Sequence, residues 1–335
     1  MRESISGLLA LIASLVTAAA HASPIPVATL LTDFNVITNS NFTTTNDVVG
    51  PVLIGGNLRD TSIINDAPVV PLPIPVAGLG EVNVFGNVVG TTVATIPSVG
   101  AGSVVLIGGS NPTPPSLVQA TFPGKGAGSV LSGNSFPFNF ANDIWAQLNG
   151  TTGLSHSLAG LTANSSQTGS TFTGTANANG VAVFSVPLTT LNGLTNPLML
   201  AGCLALATPC DAVINVTGAG SFTQGFNWGT IGTPQQNLIF NFEDASSLTI
   251  NNQWFSSILA PLADIENSAA INGNVVANTV GAAGSLGGEI HNFAFDCSDH
   301  LCDLTTVMPE PDSLAVLGSA LVAGAALRHR RRRAG

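Results

Sequence analysis

The sequence predicts an all-β fold, a parallel β-solenoid with one accessory helix packed on it. Short β-branched runs end in Gly-Gly or Gly-Asn turns and recur along the chain, at residues 52–57, 82–87, 104–110 and 271–277. Gly56 and Gly86 are 30 residues apart, and Gly86 and Gly109 are 23 apart. Short strands that turn at such intervals are typical of a solenoid, whose successive turns, here called rungs, bury one face on their neighbours.

The composition of residues 23–307 limits the choice of partner. This stretch has fifteen acidic side chains and two basic ones, Arg59 and Lys125, a formal charge of −13 with histidines neutral. Its positive mean hydropathy and scarce charges argue against a disordered chain. Nucleic acid is excluded as a partner, because a phosphate backbone requires several basic contacts. Acidic polysaccharide is disfavoured as a direct ligand unless divalent cations bridge it.

Residues 140–161 interrupt the strand pattern and predict a broken helix. Apolar side chains recur there at three- and four-residue steps: Phe140, Ile144, Trp145, Leu148, Leu154, Leu158 and Leu161. Asn139 or Asn142 can cap the start of this helix, and Gly150 and Gly153 interrupt it. We expect the helix to dock along the side or end of the solenoid.

Strand patterns resume after this helix. Thr171, Thr173 and Thr175 alternate on one strand face, and residues 181–185 continue the pattern. An ice-binding surface needs a flat, regular array of Thr or Ser over several rungs, and the sequence predicts one short row only.

The N-terminus predicts a signal peptide over residues 1–22. Arg2 precedes an apolar stretch at residues 8–16, and Ala20 and Ala22 form the small-x-small site that signal peptidase needs. We therefore expect the mature chain to begin at Ser23.

Residues 308–335 predict a sorting tail. The apolar run 313–327 would reach only ~22 Å as a helix, short of the ~30 Å hydrocarbon core. A basic stop follows it, formed by Arg328, Arg330, Arg331, Arg332 and Arg333. These arginines are expected to stay cytoplasmic, which places the rest of the chain outside the inner membrane.

The motif Pro309, Glu310 and Pro311, followed by this run and the arginines, resembles the PEP-CTERM sorting signal. Exosortases read that signal in Gram-negative bacteria that make extracellular polysaccharide. A retained tail-anchored helix is the alternative.

The body, residues 23–307, resembles the choice-of-anchor A domain. The resemblance lies in residues 34–57, the helix after Phe138, and residues 212–218, 238–248 and 258–291. Its motif residues act as fold markers: Gly55, Gly56, Ala260, Pro261, Glu289 and His291. The resemblance implies a surface adhesin or matrix domain without catalytic residues. Residues 257–277 are also similar to the solenoid of bacterial ice-binding proteins, which leaves ice binding as an alternative.

The four cysteines fall in two close pairs, Cys203 with Cys210 and Cys297 with Cys302. In an oxidising exported compartment this spacing favours two local disulfides among three connectivities. A zinc site is the alternative for the second pair, with candidate ligands Asp296, Cys297, Asp299, His300, Cys302 and Asp303.

The sequence contains little that predicts catalysis. Glu289 and His291 share a strand face, and we expect them to hydrogen-bond at the last rung. Paired carboxylates occur as Asp264 with Glu266 and as Glu243 with Asp244, but no basic residues cluster to hold an acidic sugar. A polysaccharide-acting β-helix enzyme is therefore the least favoured alternative. Calcium is the one cofactor considered, with oxygen ligands at Asp33, Asp47, Asp60, Asp66, Asp264 and Glu266.

These observations predict an exported protein of a Gram-negative cell surface or extracellular matrix, with a structural or adhesive role in exopolysaccharide or biofilm. Signal peptidase and exosortase are the expected processing enzymes, and the inner membrane is a transient partner through the tail. Exopolysaccharide or other surface proteins are the expected ligands. We expect no catalytic or cofactor-binding residues.

Overall fold

The computed structural model describes residues 24–44, 46–59, 76–89, 94–97, 104–111, 117–120, 129–207, 209–229, 235–281, 288–296 and 301. The helices are α1 (Val27–Asp33), a π-helix (Phe140–Trp145), α2 (Ala146–Leu148), α3 (Leu154–Ala159), α4 (Leu188–Asn192) and a 3₁₀ turn (Cys203–Ala205). The first eleven strands are β1 (Val36–Thr38), β2 (Phe42–Thr43), β3 (Val52–Ile54), β4 (Leu58–Arg59), β5 (Val82–Val84), β6 (Val88–Val89), β7 (Ala94–Pro97), β8 (Val104–Ile107), β9 (Leu117–Ala120), β10 (Ser129–Ser132) and β11 (Ser166–Thr168). The others are β12 (Thr171–Gly174), β13 (Val181–Pro187), β14 (Met199–Gly202), β15 (Asp211–Thr217), β16 (Gly220–Thr223), β17 (Gln235–Asn241), β18 (Ala245–Ile250), β19 (Ser256–Asn267), β20 (Ile271–Asn272), β21 (Val275–Val280) and β22 (Ile290–His291).

Parallel pairing arranges fifteen of these strands as two faces of a three-sided solenoid, which confirms the predicted fold class. The covered face consists of β10, β8, β5, β3, β1, β21, β19, β17, β15 and β13, in that spatial order. The hydroxyl face consists of β2, β4, β6, β16, β18 and the C-terminal parts of β19 and β21. The third face has β20, β22 and the single bridges Leu198–Trp228, Trp254–Ile271 and Val48–Ile290.

The rungs do not stack in sequence order. β1, the first strand, lies in the middle of the covered face between β3 and β21, with Val36 opposite both Val52 and Val275. From this junction of β1 with β21, here called the seam, one half of the stack runs to β10 and the other to β13. The N-terminal strand β1 and the C-terminal strand β21 are therefore neighbours in the middle of the stack, and not at its two ends.

Two hydrophobic cores lie on either side of the covered face. Inward-facing side chains such as Val36, Val52 and Val275 fill the interior of the solenoid. Outward-facing neighbours such as Ile37 and Leu53 join a second core with α1 and the helices of residues 140–159. Both sides of these strands are buried, and for this reason they read as continuous apolar runs instead of an alternating pattern.

A buried polar network fixes α3 on the covered face. The Ser155 hydroxyl donates to Asn241 Oδ1 at 2.6 Å, and Asn241 Nδ2 donates to the Ser155 carbonyl at 2.8 Å and to Asn215 Oδ1 at 2.9 Å. Asn215 Nδ2 donates to the Leu158 carbonyl at 2.6 Å. Two adjacent rungs thus satisfy helix groups that the apolar core would otherwise leave unpaired.

The predicted Gly-Gly and Gly-Asn turns lie at the corner between the covered and hydroxyl faces. The Gly86 N–H donates to the Gly56 carbonyl at 2.9 Å, and the Gly109 N–H donates to the Gly86 carbonyl at 2.8 Å. A Cβ on Gly86 would lie 2.4 Å from the Gly56 oxygen. Glycine is required there because successive corners stack backbone on backbone.

The predicted helix is present, and Asn139 Oδ1 accepts a hydrogen bond from the Asn142 N–H at its start. It docks along the side of the solenoid. α1 and α4 were not predicted from the sequence. Among the described residues, no helix has the length and apolar character needed to cross a membrane.

Candidate functional site

The hydroxyl face carries a row of small polar side chains that sequence analysis missed. Ser221 lies opposite Ser247, and Thr223 lies opposite Thr249. The Ser247 hydroxyl donates to the Ser221 hydroxyl at 2.8 Å. The two rungs share a Ser-x-Thr pattern, but no periodic signal links them because β16 and β18 belong to separate turns of the chain.

A carboxylate pair interrupts this array on the next rung. Asp264 lies opposite Ser247, and Glu266 lies opposite Thr249, so the predicted placement of both acids on one strand face is confirmed. Asn278 Nδ2 donates to Asp264 Oδ1 at 3.1 Å, which fixes that carboxylate at the corner. The face is therefore polar but not uniform, with charge beside the hydroxyl rows.

The third face presents a different chemistry over three adjacent rungs. Gln253 and Phe255 flank the buried Trp254: Gln253 is exposed, and Phe255 is half-buried and packs against the interior core. Glu289 and His291 flank the buried Ile290 and are both partly exposed. Between them, Ala270 and Asn272 flank the inward Ile271. We call these six residues, of which Asn272 is buried, the third-face strip.

His291 is held in place within this strip. Its Nδ1 lies 2.8 Å from Asn272 Oδ1, and its Nε2 lies 2.7 Å from Glu289 Oε2. The Asn272 amide is oriented in turn, because its Nδ2 donates to the Trp254 carbonyl at 3.1 Å. The expected hydrogen bond between Glu289 and His291 is present, but their rung does not end the stack. Ile290 bridges to Val48 of the first rung, so the pair lies in the interior of the solenoid stack.

A second imidazole–carboxylate pair forms between distant segments. His156 Nδ1 of α3 lies 2.6 Å from Glu243 Oε1, and the His156 side chain is 56% exposed. Sequence analysis had paired Glu243 only with its neighbour Asp244, since 87 residues separate it from His156. The contact joins the helix to the sheet corner at the surface and creates no enclosed site.

Metal-binding geometry is absent from the part of the chain that the structure describes. No three His, Cys, Asp or Glu side chains converge there. Of the calcium candidates Asp33, Asp47, Asp264 and Glu266, only Asp264 and Glu266 lie together, on one face of β19. A disulfide joins Cys203 and Cys210, whose Cα atoms are 5.5 Å apart.

Several predicted residues lie outside the described residues. They are Ala20, Ala22 and Ser23 of the signal peptidase site, Pro309, Glu310, Pro311 and the tail arginines, and Lys125, Asp60, Asp66, Cys297 and Cys302. Among the predicted zinc ligands, only Asp296 falls within the described part.

The fold defines a class of protein: a three-sided parallel β-solenoid with one face covered by helices and two polar faces left open. A family model described as "Putative Ice-binding-like adhesive domain" matches residues 27–292, and the chain belongs to that family. No curated protein matches the chain significantly, and neither does any solved structure. The family supports an adhesive protein of the cell surface or extracellular space.

Proposed function

We propose that this protein is a non-enzymatic adhesive component of an extracellular polysaccharide matrix, exported from a Gram-negative cell and sorted by exosortase. The family of adhesive domains carries this proposal. The polar sheet surfaces of the described residues support it, because a sheet surface offers contacts without an enclosed reaction site.

The resemblances found in the sequence supply the finer parts of the proposal. The choice-of-anchor A resemblance of residues 34–291 implies a domain whose anchor varies, and Pro309, Glu310 and Pro311 resemble the exosortase motif. Signal peptidase would release the chain at Ser23. The inner membrane would hold it through residues 313–327 until the tail is processed.

Ice binding is not proposed. The carboxylates of Asp264 and Glu266 lie directly beside the two Ser-x-Thr rungs and break the hydroxyl array. Calcium stays a prediction only, as a bridge between carboxylates and acidic glycans.

The adhesive role is tested by deleting the gene and restoring it with the wild-type chain. We expect deletion to reduce surface attachment and biofilm cohesion and the wild-type chain to restore them. Unchanged attachment in the deletion strain would contradict the adhesive role. Turnover of a polysaccharide by the purified protein would contradict the non-enzymatic class.

Sorting is tested by intact mass of the protein from membrane and medium. The expected species begins at Ser23 and ends near Pro309. Replacing Pro309, Glu310 and Pro311 by alanine should retain the tail and keep the protein in the membrane fraction. The matched control Asp312→Ala should be processed as the wild type. Release of the triple variant with its tail removed would exclude the exosortase motif.

A further inference from the structure

The third-face strip combines an aromatic ring with planar polar groups. The Phe255 ring is half-buried and packs edge-on against Trp228, with ring centroids 6.0 Å apart. Gln253 on the same rung is exposed. An aromatic surface beside a few placed polar groups is how proteins orient ligands that have both apolar and polar edges.

The rest of the strip adds the hydrogen-bonding groups of Glu289 and His291, which neighbouring side chains hold in place. Glu289 and His291 are partly exposed, with 44% and 31% of their side chains accessible. Asn272 fixes the orientation of the His291 imidazole and is itself fixed by the Trp254 carbonyl. Binding therefore costs little side-chain conformational entropy at His291. Ala270 lies between Gln253 and Glu289 in the register of the rungs and is half-buried.

The spacing of the strip suits an extended chain laid along the solenoid axis. Neighbouring rungs are roughly 4.8 Å apart, so the Phe255 and His291 positions are separated by about 10 Å, two rung steps. The two outer rungs present Gln253 with Phe255 and Glu289 with His291, on either side of the middle rung of Ala270 and the buried Asn272. A polymer of repeating units can therefore meet successive rungs, which a single small molecule cannot.

Charge determines the class of polymer. Residues 23–307 carry fifteen acidic and two basic side chains, and Arg59, the basic residue within the described part, lies on the hydroxyl face in β4. A polyanion would be repelled from the Glu289 carboxylate, whereas hydroxyl groups can donate to it. The ring of Phe255 provides apolar contact for the C–H face of a sugar.

We propose that the third-face strip binds a neutral, hydroxyl-rich polysaccharide that runs along the solenoid axis. Sugar rings would pack on Phe255, and their hydroxyls would bond to Gln253 and to the Glu289 carboxylate, which His291 holds in place. The inference rests on the proposed adhesive function and names its ligand class and surface.

Affinity electrophoresis tests this assignment with two probes, neutral hydroxyethyl cellulose and anionic alginate. We expect retardation of the wild type by the neutral polymer and none by alginate. Gln253→Ala and Glu289→Gln should each weaken the neutral interaction about fivefold to tenfold, the loss of one or two hydrogen bonds. The matched control S247A/T249A on the hydroxyl face should bind as the wild type.

Phe255→Ala should abolish the neutral retardation, and its thermal melt reports whether it still folds. Because Gln253 is exposed, Gln253→Ala keeps the test valid if Phe255→Ala does not fold. The proposal would be overturned if hydroxyethyl cellulose did not retard the wild type or if alginate did. It would also be overturned if Gln253→Ala and Glu289→Gln both bound hydroxyethyl cellulose as tightly as the wild type.

A cell assay separates this inference from the adhesive function. If Gln253→Ala and Glu289→Gln restore attachment fully to the deletion strain, the strip is the wrong surface and the adhesive role stands. If the wild-type chain itself fails to change attachment, the adhesive role fails, whatever the gels show.

Discussion

Asn57 occupies the middle of a ladder of polar side chains at the corner of the solenoid. Its backbone N–H and its Nδ2 both donate to Asn41 Oδ1 at 3.1 Å. Its own Oδ1 accepts from the Asn87 N–H at 2.9 Å, and Asn87 Oδ1 accepts from the Ser110 N–H at 2.9 Å. Each side chain thus satisfies a backbone donor of the next rung, where the strand ladder is interrupted by the turn.

We expect Asn57→Ala to lower the free energy of unfolding by about 1 kcal/mol, because the Asn87 N–H loses its acceptor and the part-buried hydrogen bond from Asn57 Nδ2 to Asn41 Oδ1 is lost. Urea denaturation measures this loss. Asn142→Ala, at an exposed position in the π-helix, is the control and should change stability by less than about 0.5 kcal/mol. Equal stability of both variants would show that water replaces the lost hydrogen bonds of Asn57 without a loss of unfolding free energy.

Single residues explain why the corners could be predicted from sequence. Gly56, Gly86 and Gly109 are visible as turn residues from the local Gly-Gly and Gly-Asn pattern alone. The asparagine ladder was not predicted, since its partners are 16 to 30 residues apart and only the register of the rungs brings them together.

At the scale of elements, the covered face joins helix and sheet through the network of Ser155, Asn215 and Asn241. Asn241→Leu would leave the Asn215 Oδ1 and both Ser155 groups without their partner in an apolar core. We expect a loss of about 3 kcal/mol of unfolding free energy, measured by urea denaturation. Amide exchange of residues 154–159 should accelerate as well.

The control for this network is Ser157→Ala on the same helix, a half-exposed position outside the network. It should leave stability within about 0.5 kcal/mol of the wild type. A loss below 1 kcal/mol for Asn241→Leu, on the order of an ordinary surface change, would mean that the helix depends on apolar packing alone.

The disulfide between Cys203 and Cys210 closes the corner that leads from β14 to β15. Replacing both cysteines by alanine should cost about 2 kcal/mol, the loop-closure entropy of so short a loop. Denaturation is to be measured with and without reductant. Further loss on reducing the double variant would report a second disulfide, the predicted Cys297–Cys302 pair, and no further loss would exclude it.

Some helices and strands could be predicted from the sequence and others could not. The helix of residues 140–159 was predicted from its apolar period and its Asn139 cap, whereas α1 and α4 span only seven and five residues and give no comparable period. The hydroxyl rows on β16 and β18 were missed because each strand alone contains a single Ser-x-Thr pair. The third-face strip was seen only in part, as Glu289 and His291, since Gln253 and Phe255 join them through rung pairing.

At the scale of the whole molecule, the hydroxyl face decides between adhesion and ice binding. An ice surface requires a continuous flat array, and here the Asp264 and Glu266 rung lies beside the hydroxyl rows. We expect no thermal hysteresis from the wild type at micromolar concentration, measured by nanolitre osmometry. The variant D264S/E266T extends the Ser-x-Thr pattern by one rung and is the comparison. Hysteresis of the wild type would favour ice binding.

The order of the rungs could not be predicted from sequence, since apolar runs fix which side of a strand is buried but not which strand lies beside it. Only the structure shows that β1 pairs with β21 across more than 230 residues. Asn39 and Asn278 mark this seam at the surface, where Asn39 Nδ2 donates to Asn278 Oδ1 at 3.2 Å.

A cysteine pair across the seam tests this topology directly. N39C/N278C places two thiols on positions that continue the Thr38–Ala277 register of adjacent rungs. The strand spacing of roughly 4.8 Å lies within the Cα separation of roughly 4.4–6.8 Å that a disulfide accepts. Because the bond closes a loop of more than 230 residues, it should stabilise the oxidised variant by up to about 5 kcal/mol over the wild type. The pair N57C/N87C, on facing positions within one half, closes a loop of only 30 residues and should add about 2 kcal/mol less. Peptide mapping without reductant identifies each bond. A stack built in sequence order would keep residues 39 and 278 far apart, so failure of the seam pair to oxidise, while the control pair does, would contradict the central closure.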